Sequence, residues 1–218
     1  MLIDSSREIK DYTKSWKDLE KIIFESRLHE LGRKDAVQES MLEHMVWVRS
    51  NYLSIKDYIL SKVFQFPLED VIVDHENIVC GDCTSASSST STPVMCNGSS
   101  GGTSTEELDN SSQRVVQIKK RVVRDEGIKQ RLVIRPNDFP YSCEEPISHW
   151  ILWCLKPMSF DEAKQYLSKF FNRTHGVDYL FFVNPHHLQS IKEVFHYHVF
   201  LKNLNENEVS PTIVDIPM

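Results

Sequence analysis

Apolar residues recur at three- and four-residue steps from Trp16 through Leu19, Ile22, Ile23, Leu28 and Leu31, the period of a helix that buries one face. A helix is therefore predicted over residues 14–31, started by Ser15 and ended near Gly32. Val37, Met41, Met45, Val46 and Val48 lie among charges at a similar period and predict a second helix over residues 35–50. A short third helix follows Ser54, a good N-cap. It stops at Phe66-Pro67, because proline disfavours helical backbone in the residue before it. All three patterns are amphipathic, as in a layer of helices packed against an apolar partner.

That partner comes later and reads as strands. Residues 115–123 and 128–135 are rich in β-formers and flank Arg124-Asp125-Glu126-Gly127, so a hairpin is predicted. His149-Trp150-Ile151-Leu152-Trp153-Cys154-Leu155 is apolar on both faces, as in a strand covered on both sides. Ser159 caps a helix from Phe160 to Phe171 whose first turn is acidic. Asp178 to Val183 and Glu193 to Lys202 are two more strands, with a short turn near His186 between them. The residues after Asn203 turn polar and are expected to fray. The fold class is α+β: N-terminal helices packed on a small, mainly antiparallel sheet of about four to six strands.

Residues 80–113 break this pattern with serine, threonine and glycine runs, which bury too little apolar surface to offset backbone entropy. The organisation that follows is one domain across residues 1–218. It has a helical N-terminal part at 14–66, a disordered insertion at 80–113 and an α/β C-terminal part at 114–203. Cys80-Gly81-Asp82-Cys83, with His75 before and Cys96 after, has only half the grammar of a zinc site. No metal or other cofactor is expected.

Charge and cysteine usage narrow the function classes. A net charge of -6 over 218 residues gives no global pull toward nucleic acid or anionic lipid. No apolar run approaches the roughly 20 residues of a membrane span. The first residues lack the basic-then-apolar layout of a secretory signal, and five cysteines form no even disulfide framework. A cytoplasmic protein is expected. Lys119, Lys120, Arg121, Arg124, Lys129, Arg131 and Arg135 collect around the predicted hairpin. They form either an anion-facing patch or a solvated, charge-blunted edge. Without interleaved aromatics they offer nothing for bases to stack on.

Candidate chemistry concentrates in histidine. Alternation puts His196 and His198 on one face of a strand, with Phe195, Tyr197, Val199 and Leu201 opposite. His149 opens another strand and is positioned to converge on them. The sharp reading is a catalytic pocket of His149, His196 and His198 supported by Arg135, Asn137 and Asp138 from the rigid connector Arg135-Pro136-Asn137-Asp138-Phe139-Pro140-Tyr141. The plain reading is packed histidines satisfying backbone groups. His186 and His187 read as surface residues.

Several segments together resemble a fungal family, the N-acetylglucosamine-induced proteins. They are Trp16-x-x-Leu19, the run from Trp47 to Leu60, Asn137-Asp138-Phe139-Pro140-Tyr141, His149-Trp150-Ile151-Leu152-Trp153, and Asn184-Pro185-x-x-Leu188-Gln189-Ser190 leading into His196-Tyr197-His198-Val199. Leu53 and the long insertion depart from the family pattern. The resemblance implies a cytoplasmic protein connected to the use or regulation of N-acetylglucosamine, with no set reaction, and adds Asn184 and Gln189 to the candidate ligand-binding residues. A shorter stretch, Leu188-Gln189-Ser190-Ile191 with His196-x-His198-Val199, is similar to the histidine-triad hydrolases and transferases, which attack phosphoryl groups through a strand histidine. Phe200 departs from that signature, as does the spacing from Ile191 to His196. Three functions follow as expectations. One is a factor in amino-sugar metabolism or its regulation. The second is a histidine-dependent hydrolase or transferase acting on a sugar phosphate or nucleotide sugar. The third is a protein-interaction adaptor using the serine-rich arm.

Overall fold

Two neighbouring strands, β4 (Ile147–Cys154) and β6 (His196–Lys202), carry most of the architecture, because each is buried on both faces. The computed structural model describes residues 13–74, 116–123, 127, 130–171, 177–204 and 211–216. By contacts the chain divides into a unit of residues 1–71 and 119–218 and a smaller unit of residues 72–118. In the larger unit, β3 (Gln130–Pro136), β5 (Asp178–Phe182) and β7 (Thr212–Ile216) join β4 and β6. They form one five-stranded sheet ordered β5-β6-β4-β3-β7. Every pairing in it is antiparallel.

The sheet separates two helical layers, and alternation decides which residue faces which. One face carries Leu132, Ile134, Trp150, Leu152, Cys154, Tyr197, Val199 and Leu201. It packs on Ala163, Leu167 and Phe171 of helix α4 (Phe160–Phe171). Ser159 caps α4 reciprocally: its hydroxyl accepts from the Glu162 N–H, and its own N–H donates to the Glu162 carboxylate. The other face carries Val133, Ile151, Trp153, Phe182 and Phe200. It lies under the N-terminal helices α1 (Trp16–Phe24), α2 (Asp35–Asn51) and α3 (Ile55–Lys62). The three histidines of interest sit on this second face, beneath the N-terminal layer.

The predicted helices form, with one shortened. Ser15 and Asp18 build a full capping box at the start of α1. The helix ends at Phe24, because Ser26 takes a left-handed φ of 56°. Leu28 therefore belongs to a separate 3-10 turn, Leu28–Glu30, and not to a helix running on to Gly32. Ser54 caps α3 by accepting from the Asp57 N–H at 3.1 Å.

Two strand expectations are corrected. Residues 115–135 do not make a hairpin: β2 (Val116–Val122) pairs with β1 (Leu68–Asp74) in a two-stranded sheet, while β3 lies between β4 and β7. Both edges of β3 are filled, so no place remains for β2 beside it. The chain after Asn203 does not all fray either. Thr212–Ile216 docks on β3, with Ile213 opposite Val133, and Asp215 forms a two-pronged ion pair with Arg131 at 2.5 and 2.8 Å. The described part of the basic patch is likewise spread out and answered: Lys120 faces Asp70, Arg121 faces Glu69, and Lys119 donates to the carbonyl of Arg49, while Arg124 and Lys129 lie outside the described residues. The predicted insertion at 80–113, with Cys80, Cys83 and Cys96, lies outside the described residues. Among the described residues no cluster of histidine, cysteine and carboxylate side chains can hold a metal. No described helix is long and apolar enough to cross a membrane.

Candidate functional site

The register of β4 on β6 sets Ile151 opposite His198 and Trp153 opposite His196. His149 then comes within hydrogen-bond reach of His198, its Nε2 lying 3.0 Å from His198 Nδ1. Both rings are buried, as is His196. The connector from β3 to β4 folds back over this face. It is held by the Asn137 N–H donating to the His149 carbonyl at 2.9 Å and by an Asx turn in which Asn137 Oδ1 accepts from the Phe139 N–H. The connector brings Tyr141 over the pair, its ring stacked on His149 at 4.8 Å and on His198 at 5.4 Å between centroids.

Proton positions follow from the neighbours. The backbone N–H of Tyr141 donates to His149 Nδ1 at 2.9 Å, and Asn137 Nδ2 lies 3.4 Å from the same nitrogen. His149 Nδ1 is thus an acceptor, so its proton sits on Nε2 and is donated to His198 Nδ1. His198 must then carry its own proton on Nε2. That nitrogen is 3.0 Å from the side-chain amide of Asn184, which is also 2.9 Å from the Tyr141 hydroxyl. With the amide nitrogen toward His198, two N–H donors would face each other, and Oδ1 would be buried without a partner. A half-turn of the amide removes the conflict: Oδ1 accepts from His198 and from the Tyr141 hydroxyl, and the NH2 takes the partnerless position. Asn184 is only 3% exposed, so this leaves a buried donor with no partner among the described residues.

His196 is arranged differently. Its Nδ1–H donates to the Val194 carbonyl at 2.9 Å, and no described residue hydrogen-bonds Nε2. Burial pushes its pKa below the ordinary value, with the Val194 hydrogen bond opposing. The ring is neutral at pH 7 and keeps an available lone pair. Burial likewise lowers His149 to about 3, helped by Arg33 and His196, and holds His198 well below its usual range.

A cavity of about 80 Å³ opens between the sheet and helices α2 and α3, with His196, His198 and Asn184 in its wall. Arg135, Asn137 and Asp138 line it too, but Arg135 is spent on Asp138 at 2.7 Å. Two sequence candidates stand back from it. His149 lies behind His198 and borders a wider groove of about 880 Å³, lined among the described residues by Lys34, Tyr141, Cys143 and Glu145 as its other ionisable groups. Gln189 holds the backbone carbonyl of Asn184 at 2.7 Å and does not line the cavity. His186 and His187 are exposed. Sequence reasoning missed Arg33, His44 and Tyr58, which reach the cavity from the N-terminal layer. His44 Nε2 meets the Tyr58 hydroxyl at 2.9 Å. No spacing signal marks these three, because their approach to the histidines is tertiary.

The site therefore offers a neutral imidazole with a spare lone pair, an unpartnered amide NH2 and a proton-ordered pair of histidines behind them. Such a set can take a proton from a small ligand and hold the oxygen left behind. No curated protein matches the chain. A solved structure described as the crystal structure of HTC1 aligns with 88% of this chain and 86% of its own. The two chains are 19% identical, with a TM-score of 0.44. Residues 15–202 match the family described as protein of unknown function (DUF3605), and the chain belongs to that family.

Proposed function

We propose that the chain is an enzyme of amino-sugar metabolism in which His196 acts as general base on a small amino-sugar ligand. The observation that carries the chemistry is the free Nε2 of His196 in the wall of a cavity, with Nδ1 already committed to the Val194 carbonyl. On taking a proton from a ligand hydroxyl at Nε2, the ring becomes an imidazolium whose other N–H is already hydrogen-bonded. The ligand oxygen left negative is met by the NH2 of Asn184. His149 and Gln189 are positioning residues: the first orders the proton on His198, and the second fixes the backbone of Asn184. The sugar class rests on the segments of Trp47 to Leu60, Asn137 to Tyr141 and His196 to Val199, which resemble the N-acetylglucosamine-induced proteins.

Space limits what enters. At about 10–15 Å³ per water site, 80 Å³ is room for one end of a sugar phosphate. The test is conversion of N-acetylglucosamine, its phosphates and its uridine-diphosphate conjugate, followed by mass spectrometry. His196→Asn keeps a donor for Val194 and removes the lone pair. The wild type should convert one of these compounds, and a folded His196→Asn protein should do so about 10²- to 10⁴-fold more slowly. Equal rates, or no conversion and no binding of any of the compounds by the wild type, would overturn the reading.

A further inference from the structure

We propose that Arg33 is an oxyanion receptor, so that the ligand of this cavity carries a phosphate or carboxylate group. The proposal rests on the cavity being the functional site, and it adds the charge of what binds there.

The first observation is a cation with no counter-charge. Arg27, Arg121, Arg131 and Arg135 each sit on a carboxylate. Arg33 sits on none among the described residues. Its Nε donates to the Phe139 carbonyl at 2.9 Å, and its Nη1 reaches Gln38 Oε1 at 3.4 Å. Both of these partners are uncharged. A guanidinium has five N–H donors in a planar fork suited to two oxygens at once, so much of this fork is left unused.

The second observation is that the group is partly withdrawn from water. Burial lowers its pKa, and among the described residues Tyr141 acts in the opposite direction. Holding a cation there without a partner costs stability, a cost that an incoming anion would reverse.

Third, the guanidinium is held still. Its carbon lies 5.0 Å over the Tyr141 ring, and the bond to Phe139 anchors it to the same connector that covers the histidines. A fixed fork loses less entropy on binding than a mobile surface side chain does.

Fourth, the cavity wall as a whole is positive. Its charged residues are Arg33, Arg135 and Asp138, and Arg135 and Asp138 answer each other. His196 and His198 are held neutral there by burial, so Arg33 supplies an excess positive charge in a chain whose net charge is -6. The unused N–H groups of the Arg33 fork let the wall offer both charge and donors to one oxyanion.

The experiment uses inorganic phosphate and acetate as probes on the full chain, by calorimetric titration and by the shift in melting temperature. Arg33→Gln keeps donors and removes the charge, while Arg33→Lys keeps the charge and loses the fork. At least one probe should bind the wild type. Arg33→Gln should weaken that binding about ten- to a hundredfold, the loss expected for a charge-assisted hydrogen bond, and Arg33→Lys should fall between. Binding unchanged in Arg33→Gln, or no binding of either anion by the wild type, overturns the proposal. If Arg33→Gln does not fold, wild-type affinity in Arg33→Lys overturns it instead. Arg33-dependent anion binding without turnover of any amino sugar would keep this inference and sink the enzymatic reading. Turnover that needs His196 but leaves anion binding indifferent to Arg33 would do the reverse.

Discussion

His149 Nε2 donates to His198 Nδ1 across 3.0 Å between two neighbouring strands. The direction of that bond is set from outside the pair, by the Tyr141 N–H on the far side of His149. From this one polarity follow the proton on His198, the orientation of the Asn184 amide and a buried NH2 without a partner among the described residues.

The buried imidazoles predict a particular acid sensitivity. Folded, His149 titrates at about 3 and His196 and His198 below their ordinary range, while unfolded histidine titrates near 6.5. The unfolded state therefore binds more protons below that value. The stability contributed by the neutral rings is complete above about pH 6.5 and is lost as pH falls, by up to about 1.4 kcal/mol per pH unit for each ring. Urea midpoints should decline between pH 6.5 and 5, before carboxylates titrate appreciably. A flat profile over that window would show that the three rings are not held neutral.

Asn184→Leu removes the acceptor for His198 Nε2–H and for the Tyr141 hydroxyl. It should cost about 1–3 kcal/mol, the range for stranding a buried donor, measured by denaturant titration at pH 7.5. The same variant should lose any ligand that the cavity binds, because the free NH2 goes with the side chain. A neutral effect on stability would contradict the proton assignment above.

Truncation after residue 210 should be more damaging than an ordinary tail deletion. It removes β7, exposes the paired edge of β3 and leaves Arg131 without Asp215. An uncovered edge is a template for pairing with another chain. The expected result is a lowered melting temperature with concentration-dependent association in size-exclusion chromatography. A stable monomer would mean that β7 contributes little.

The two described cysteines should be inert. Burial pushes the thiols of Cys143 and Cys154 up to about 12, which keeps the reactive thiolate scarce at neutral pH. Peptide-resolved mass spectrometry after iodoacetamide treatment at pH 7.5 should find both unmodified in the native protein and modified once urea is added. Rapid native alkylation of either would contradict that burial.

How much of this was legible in the sequence depended on how local each cause is. Alternation along residues 196–201 places His196 and His198 on one face whatever the partner strand is, and that face is the one observed. The caps at Ser15, Ser54 and Ser159 act within four residues and were equally readable. The hairpin at 115–135 was misread because turn-forming residues between two β-rich runs say nothing of competing strands, and β1 and β7 were those competitors. β7 is only five residues long and lies between Pro211 and Pro217 in a stretch that reads as tail. Arg33, His44 and Tyr58 left no trace as site residues, since helical periodicity reports which face is apolar and not what that face meets.

The polarity of the histidine pair originates in a peptide group, not a side chain. Whatever amino acid occupied position 141, its N–H would still point at His149, with proline the single exception. The ring and hydroxyl of Tyr141 can therefore be exchanged, at the expense of stacking and of one bond to Asn184, while proton order in the interior is preserved. Drift at this position has twenty letters to choose from, and only one of them erases the instruction.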